Sequence, residues 1–415
     1  MTDLVCNAAP DHHPGAGPDA EPATPAWMAV FSLAMGVFGL LTAEYLPASL
    51  LTPMATELGV SEALAGQAVT VTAVVALFAG LLVPGLTRSI DRRWVLLAFS
   101  TLMIASNLLV AASSSFVVLL LMRILLGIAL GGFWSMAAAV AMRLVPGALL
   151  PRALSIIFSG IAIGTVVAVP LGSYLGGLYG WRSAFFAAAA VGVVTLAFQS
   201  ITLPSLAPRR PARLRTVLEV LLRPGIAMGM FGCVLVHSGH FAMFTYVRPF
   251  LEGTTGIGPQ GLSLMLLGFG VANFVGTLVA GWMLARYPLA TLVSMPALVG
   301  VAALALVLLP ASVPGQAVLL AVWGLAFGGV PVAWSNWVAN AVPDQAESAG
   351  GMVVASVQSA IATGAAAGGA MFSLGGSAGV FVAAAVLMLL AALLIALRVR
   401  VPSVEGAVLN RSARH

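Results

Sequence analysis

From Leu119 to Pro146 the chain reads LLLMRILLGIALGGFWSMAAAVAMRLVP, an apolar run interrupted near its start by one charge, Arg123. A run of this kind is long enough for a bilayer, whose hydrocarbon core takes about 20 helical residues. A charge inside it costs about 2.5–3.5 kcal/mol even on the milder scales, so the arginine demands a partner or a water-filled path. The run also has an echo. Gly127, Gly131, Gly132 and Pro146 recur as Gly324, Gly328, Gly329 and Pro343, each at an offset of 197, and GIALGG becomes GLAFGG. Arg123 itself maps to Leu320. Two related halves with the charge in only one of them is the pattern of parallel repeats seen in transport folds.

Composition carries this to the whole chain. Of 415 residues, 60% are hydrophobic and 7% charged, and the mean hydropathy is +1.07. Soluble domains carry about 25% charged residues, so the sequence predicts an all-α polytopic membrane protein. Windowing places twelve spans near residues 27–51, 64–86, 94–112, 116–142, 153–178, 183–203, 225–247, 261–284, 289–309, 316–341, 350–373 and 377–397. The expected domains are a disordered tail at 1–26, a six-helix bundle at 27–203, a linker at 204–224, a second bundle at 225–397 and a tail at 398–415. The linker's Leu and Val spacing suggests a short amphipathic helix on the membrane surface.

The net charge of +5 does not point to nucleic acid, because its placement follows the membrane. All basic residues are arginines, and they gather after spans two (Arg88, Arg92, Arg93), four (Arg143, Arg152), six (Arg209 to Arg223), eight (Arg286) and twelve. Only Arg182 and Arg248 fall in loops on the other side. By the positive-inside rule the arginine-rich side is cytoplasmic and both termini are inside. The N-terminal tail lacks a basic n-region, so no cleavable signal is read and span one stays as an anchor. Cys6 and Cys233 are too differently placed for a structural disulfide, and His12-His13 is read as a solvated pair.

Within the spans, polar residues mark the candidates. Glu44 is the one acidic residue deep in a span, and Pro47 just beyond it should bend the helix and free a backbone carbonyl. Glu44, Arg123 and His240 each lie seven residues from an outer span end, about 10 Å deep at 1.5 Å per residue. A carboxylate beside a guanidinium can change protonation with small rearrangements, so Glu44 and Arg123 are the proton-coupling candidates. His237, His240, Trp134, Asn273, Trp334, Asn336 and Gln358 are candidate substrate contacts, because aromatic and amide groups suit a flat polar ligand; each also fits plain packing. Gly127, Gly131, Gly164 and Pro170 suit a close, hinged helix interface, and Asp91, Arg92 and Arg93 a loop gate or simple topology control. There is no Walker sequence, paired catalytic Asp or metal-ligand set, so neither ATP hydrolysis nor an intramembrane enzyme is expected.

These motifs carry a resemblance. MRILLGIALGG resembles the fourth-helix signature of the major facilitator superfamily, and SGIAIGTVVAVPLGSYLGG its fifth-helix antiporter motif. AEYLPASLLTP is similar to the first-helix motif of the twelve-helix drug:proton antiporter branch. GLTRSIDRRW resembles a degenerate second-to-third loop with its acid, Asp91, displaced. SLLTPMATELGVSEALAGQ, LGGFWSMAAAVAMRLVP, FTYVRP, VPVAWSNW and DQAESAG are similar to bacterial exporters of purine ribonucleosides. The resemblance implies the major facilitator fold, two pseudo-symmetric six-helix bundles in the bacterial inner membrane. It also implies proton-driven antiport of nucleosides such as inosine or guanosine, by a monomer with no cofactor beyond the proton gradient. Sugar or multidrug export, import, and a receptor remain the alternatives.

Overall fold

A computed structural model describes residues 24–146, 149–208, 219–342 and 346–400, and every regular element among them is helical. Residues 1–23 and 401–415 of the tails, 209–218 of the linker, Cys6 and His12-His13 lie outside the described residues. Eleven helices are long and apolar enough to cross a membrane. The last, Gly351–Arg398, is two spans in one, because the backbone leaves the helical region at Gly375 and Gly376, the latter with φ of 63°. A straight helix of that length would be about 70 Å long against a core of about 30 Å, so the glycine break is what lets it return. Among the described residues the count is therefore twelve, as the sequence predicts.

The two halves repeat down to their helix caps. Ser115 accepts from the Val118 amide to start span four, and Ser312 accepts from the Gly315 amide to start span ten, again at an offset of 197. The first span of each half, Trp27–Ser49 and Ile226–Thr245, runs into a short helix, Leu51–Leu58 or Val247–Thr255. The repeated glycines do the same job twice. A Cβ on Gly127 would sit 2.7 Å from the Thr72 carbonyl and one on Gly131 2.0 Å from that of Ala76. On Gly324 and Gly328 it would sit 2.4 Å from the Phe269 carbonyl and 1.9 Å from that of Asn273. The same offset separates 72 from 269 and 76 from 273. Span four thus lies backbone-to-backbone on span two, and span ten on span eight.

Between the halves, spans five and eight meet and spans two and eleven meet. In span five a π turn, Gly164–Ala168, precedes Pro170 and brings the backbone of Thr165 and Val166 against Gly270 of span eight. Farther along the same seam Gly177 faces Pro259. Spans one and seven are the most enclosed, each with 72% of its apolar window buried. They form the centre.

The loop after span two belongs to the first half alone. Asp91 caps span three by accepting from the Arg93 amide at 2.8 Å. It also accepts from the Leu206 amide and from the Ser205 hydroxyl, which ties the chain leaving span six to this loop. Arg92 donates to the Thr87 carbonyl and hydroxyl at the end of span two, Arg93 to the Ser200 carbonyl near the end of span six, and Arg143 to the Ala207 carbonyl. Burial opposes charge on Asp91, but the Ser205, Leu206 and Arg93 hydrogen bonds, with Arg143 nearby, hold its carboxyl below the usual carboxylate range. A lowered folded-state value contributes stability above the ordinary value near about 4 and loses it as pH falls through the folded one. The apparent Tm of Asp91→Asn is therefore expected to lie below wild type at pH 7, with the gap closing toward pH 3. A gap independent of pH would contradict the assignment.

Candidate functional site

The sequence places Pro47 one turn after Ala43, and proline has no amide to give. The Ala43 carbonyl is left without its intrahelical donor. Arg123 fills the gap: its Nη1 donates to the Ala43 oxygen at 2.8 Å. Its Nε donates to the Thr72 hydroxyl at 2.9 Å, with the Ala68 carbonyl 3.4 Å away, and Nη2 donates to the Glu44 carbonyl at 3.4 Å. The guanidinium is fully buried and joins spans one, two and four through a planar fork of donors that an ammonium lacks. The Arg123 charge acts on the nearby Glu44 carboxylate, as expected, but no hydrogen bond joins the two side chains. Arg123 touches the backbone oxygen of Glu44 rather than its carboxylate.

The Glu44 side chain is itself buried, 4% exposed, and its Oε1 has no hydrogen-bond partner among the described residues. Next to it, Tyr45 meets Phe244 of span seven edge-on, ring centroids 5.5 Å apart. Phe244 in turn stacks with His240 at 5.5 Å. Tyr45 and Phe244 thus connect the helix that carries Glu44 to His240 across the two halves. The arrangement is asymmetric. At the 197 offset, Glu44, Thr72 and Arg123 become Phe241, Phe269 and Leu320, so a polar cluster in the first half faces an aromatic one in the second.

That aromatic cluster surrounds His240 with Phe241, Phe244, Phe269, Trp323 and Phe327. The Trp323 indole N–H donates to His240 Nδ1 at 3.1 Å. His237, one turn earlier, has Nδ1 2.8 Å from the Cys233 carbonyl and its ring edge-on to Phe327 at 5.7 Å.

The other candidates are dispersed. Trp134 is half-buried between Phe133 and Phe158, nearer the arginine-rich end of span four. Trp334 is fully buried and packs on Trp337, whose indole donates to the Arg400 carbonyl. Asn273 is half-buried, with its backbone oxygen against Gly328. Asn336 is exposed and bonded to Asn340, and Gln358 is buried in span eleven. A groove of about 470 Å³ between spans five and eight, lined by Pro170, Tyr174, Gln260 and apolar neighbours, is separate from Glu44 and Arg123.

Sequence reasoning missed the closure at the end away from the arginine clusters. Arg248, counted as one loop charge, is 4% exposed; its Nη1 donates to the Ser49 carbonyl of the other half at 2.6 Å, and its Nε bonds Glu252. Beside it the Tyr246 hydroxyl reaches the Ala63 carbonyl across the seam at 3.3 Å and lies where a Cβ on Gly66 would be. The signal available in sequence was FTYVRP, an arginine bracketed by proline and aromatics at the end of a span. A charged hydrogen bond contributes about 1.5–3 kcal/mol. Arg248→Ala is therefore expected to open this end: a cysteine at Ala365, buried beside Tyr246, should label faster with an impermeant maleimide from the side Ser49 faces. Unchanged labelling would show that the clamp does not hold the halves.

The chain matches the family model of the Major Facilitator Superfamily over residues 28–349 and 230–414. It is 44% identical over 379 residues to the "Purine ribonucleoside efflux pump NepI" of Salmonella enteritidis PT4, covering 91% of this chain and 96% of that one. The protein of the same name from Salmonella typhimurium is equally similar, 44% over the same 379 residues. Among solved structures it superposes on the nucleoside transporter NupG with a TM-score of 0.75 at 15% identity, over 90% of this chain and all of that one. A D-xylose-proton symporter follows at 0.73 and 18%, over 91% of this chain and 98% of that one. At such identities these two structures speak for the fold alone.

Proposed function

The chain belongs to the major facilitator superfamily, and from that premise we propose that it is a proton-coupled exporter of purine ribonucleosides such as inosine and guanosine. The observation that carries the coupling is Glu44, a buried carboxylate with an unpartnered oxygen at the centre of the fold. An intramembrane carboxylate is expensive, and its default explanation is a proton or ion path. Arg123 is held by backbone and hydroxyl oxygens rather than by the carboxylate, so Glu44 is free to exchange its proton without unlocking the spans around it.

In this reading the arginine-rich end is cytoplasmic, and the Arg248–Ser49 clamp closes the outer end. Nucleoside enters from the cytoplasm as Glu44 releases its proton inward. The carrier then re-opens outward, where Glu44 takes up a proton as substrate leaves. The aromatic cluster of the second half supplies faces for a purine, and no cofactor beyond the proton gradient is required. The protein acts as a monomer in the bacterial inner membrane with both termini inside. The substrate half of the proposal rests on the similarity to the purine ribonucleoside efflux pumps, and sugar or drug export by the same frame is the competing reading.

A transport panel in proteoliposomes separates them. Inosine and guanosine are expected to exchange across the membrane, and a pentose and a cationic dye are not. Flux of the sugar or dye with none of either nucleoside would discard the nucleoside assignment.

A further inference from the structure

Two histidines one turn apart on span seven are locked in opposite ways. The Cys233 carbonyl, 2.8 Å from His237 Nδ1, can only accept a hydrogen bond, so Nδ1 carries the proton. The other ring nitrogen of the neutral His237, Nε2, is then a bare acceptor. It is buried, the residue being 2% exposed, and has no donor among the described residues. His240 is the reverse: Trp323 N–H donates to its Nδ1, leaving Nε2–H as a donor. Buried acceptors are nearly always satisfied, so an orphan in a central span calls for an explanation. The Phe327 ring stands edge-on to His237 from span ten, and the neighbouring Ser238 hydroxyl is already engaged with Thr363, so neither supplies a donor.

We propose that His237 Nε2 is a specificity-determining acceptor for an N–H or O–H donor of the transported nucleoside. The proposal rests on the nucleoside reading above and adds an atom-level requirement to it. A nucleoside offers such donors from two places, the N1–H of a 6-oxopurine and the ribose hydroxyls. Cys233 acts here by orientation: its carbonyl fixes which nitrogen of His237 faces the ligand. A ligand lacking the required donor would leave Nε2 unpaired in the bound state as it is in the empty one, and would gain nothing from it.

The test is competition against labelled inosine in counterflow with full-length protein in proteoliposomes. The competitors are inosine, N1-methylinosine, and 2′-, 3′- and 5′-deoxyinosine. In wild type, the analogue missing the recognised donor is expected to compete about tenfold less well than inosine. The N1-methyl arm reports the base and the deoxy arms report the ribose. In His237→Leu, inosine itself should weaken by about tenfold and the gap to that one analogue should close, with the other gaps unchanged. His237→Gln, whose carboxamide oxygen can lie near the Nε2 position, should restore part of the gap. If the leucine variant does not reach the membrane, His237→Phe keeps the ring against Phe327 without the nitrogen and carries the same expectation.

Gaps unchanged in every variant, or all shrinking together, would overturn the assignment. So would loss of gradient dependence with competition intact, since His237 would then serve the proton and not the ligand. Absence of any inosine counterflow in wild type would instead strike the nucleoside reading itself, which makes the two failures distinguishable.

Discussion

Glu44→Gln is expected to lose gradient-driven inosine export outright while retaining inosine exchange between the two sides. The substitution is nearly isosteric and removes a titratable group whose Oε1 has no partner among the described residues. Arg123 bonds the backbone oxygen of residue 44, which glutamine also has, so the substitution breaks no hydrogen bond between the two residues. The variant should therefore fold, insert and bind. Exchange needs only that the loaded carrier reorient, whereas uphill movement needs a proton to be taken up on one side and released on the other. Counterflow near the wild-type level together with no response to an imposed pH gradient is the expected pair of results. Gradient-driven export at the wild-type level would place the coupling group elsewhere, with the central histidines the next candidates.

The second large effect is steric. Gly328→Ala is expected to destabilise the protein by about 1–3 kcal/mol or more, the usual range for overpacking a tight interior. The added Cβ would sit 1.9 Å from the Asn273 carbonyl oxygen, which is backbone and cannot rotate away. Spans eight and ten would have to separate. Alanine's better helix propensity, about 1 kcal/mol over glycine, works in the opposite direction and is outweighed. Gly131→Ala, 2.0 Å from the Ala76 oxygen, should behave alike in the first half. Gly268, on span eight but with nothing within 4 Å of its Cβ position, is the control: alanine there should be neutral or mildly stabilising. Equal thermal stability of Gly328→Ala and Gly268→Ala in detergent would contradict the close approach.

Those glycines also explain why the fold is legible in the sequence. Where backbones meet, only glycine fits, so the contact pattern is written directly into residue identity and shows as the repeat at 197. Span lengths are legible for a related reason, since lipid dictates them. The partners of Arg123 are not. Its acceptors are mainly carbonyls, which every residue possesses, and only Pro47 betrays that one of them is free. The expectation of a carboxylate partner comes from charge counting, which sees side chains alone. Trp334 and Asn336 illustrate a further limit: an indole at the core and an amide at the surface share a motif, VPVAWSNW, and nothing in spacing separates packing from ligand contact. Arg248 is hidden differently, because topology rules count arginines by side and say nothing of which ones are buried.

The most direct test is inosine movement into inverted vesicles or proteoliposomes of known orientation, with and without an imposed pH gradient, for wild type and Glu44→Gln side by side. Proton-coupled export predicts uphill inosine movement in wild type that vanishes when the gradient is collapsed and is absent from the variant. Inosine flux indifferent to the gradient in both proteins would contradict the coupling, and the chain would then be a passive nucleoside carrier on the same fold.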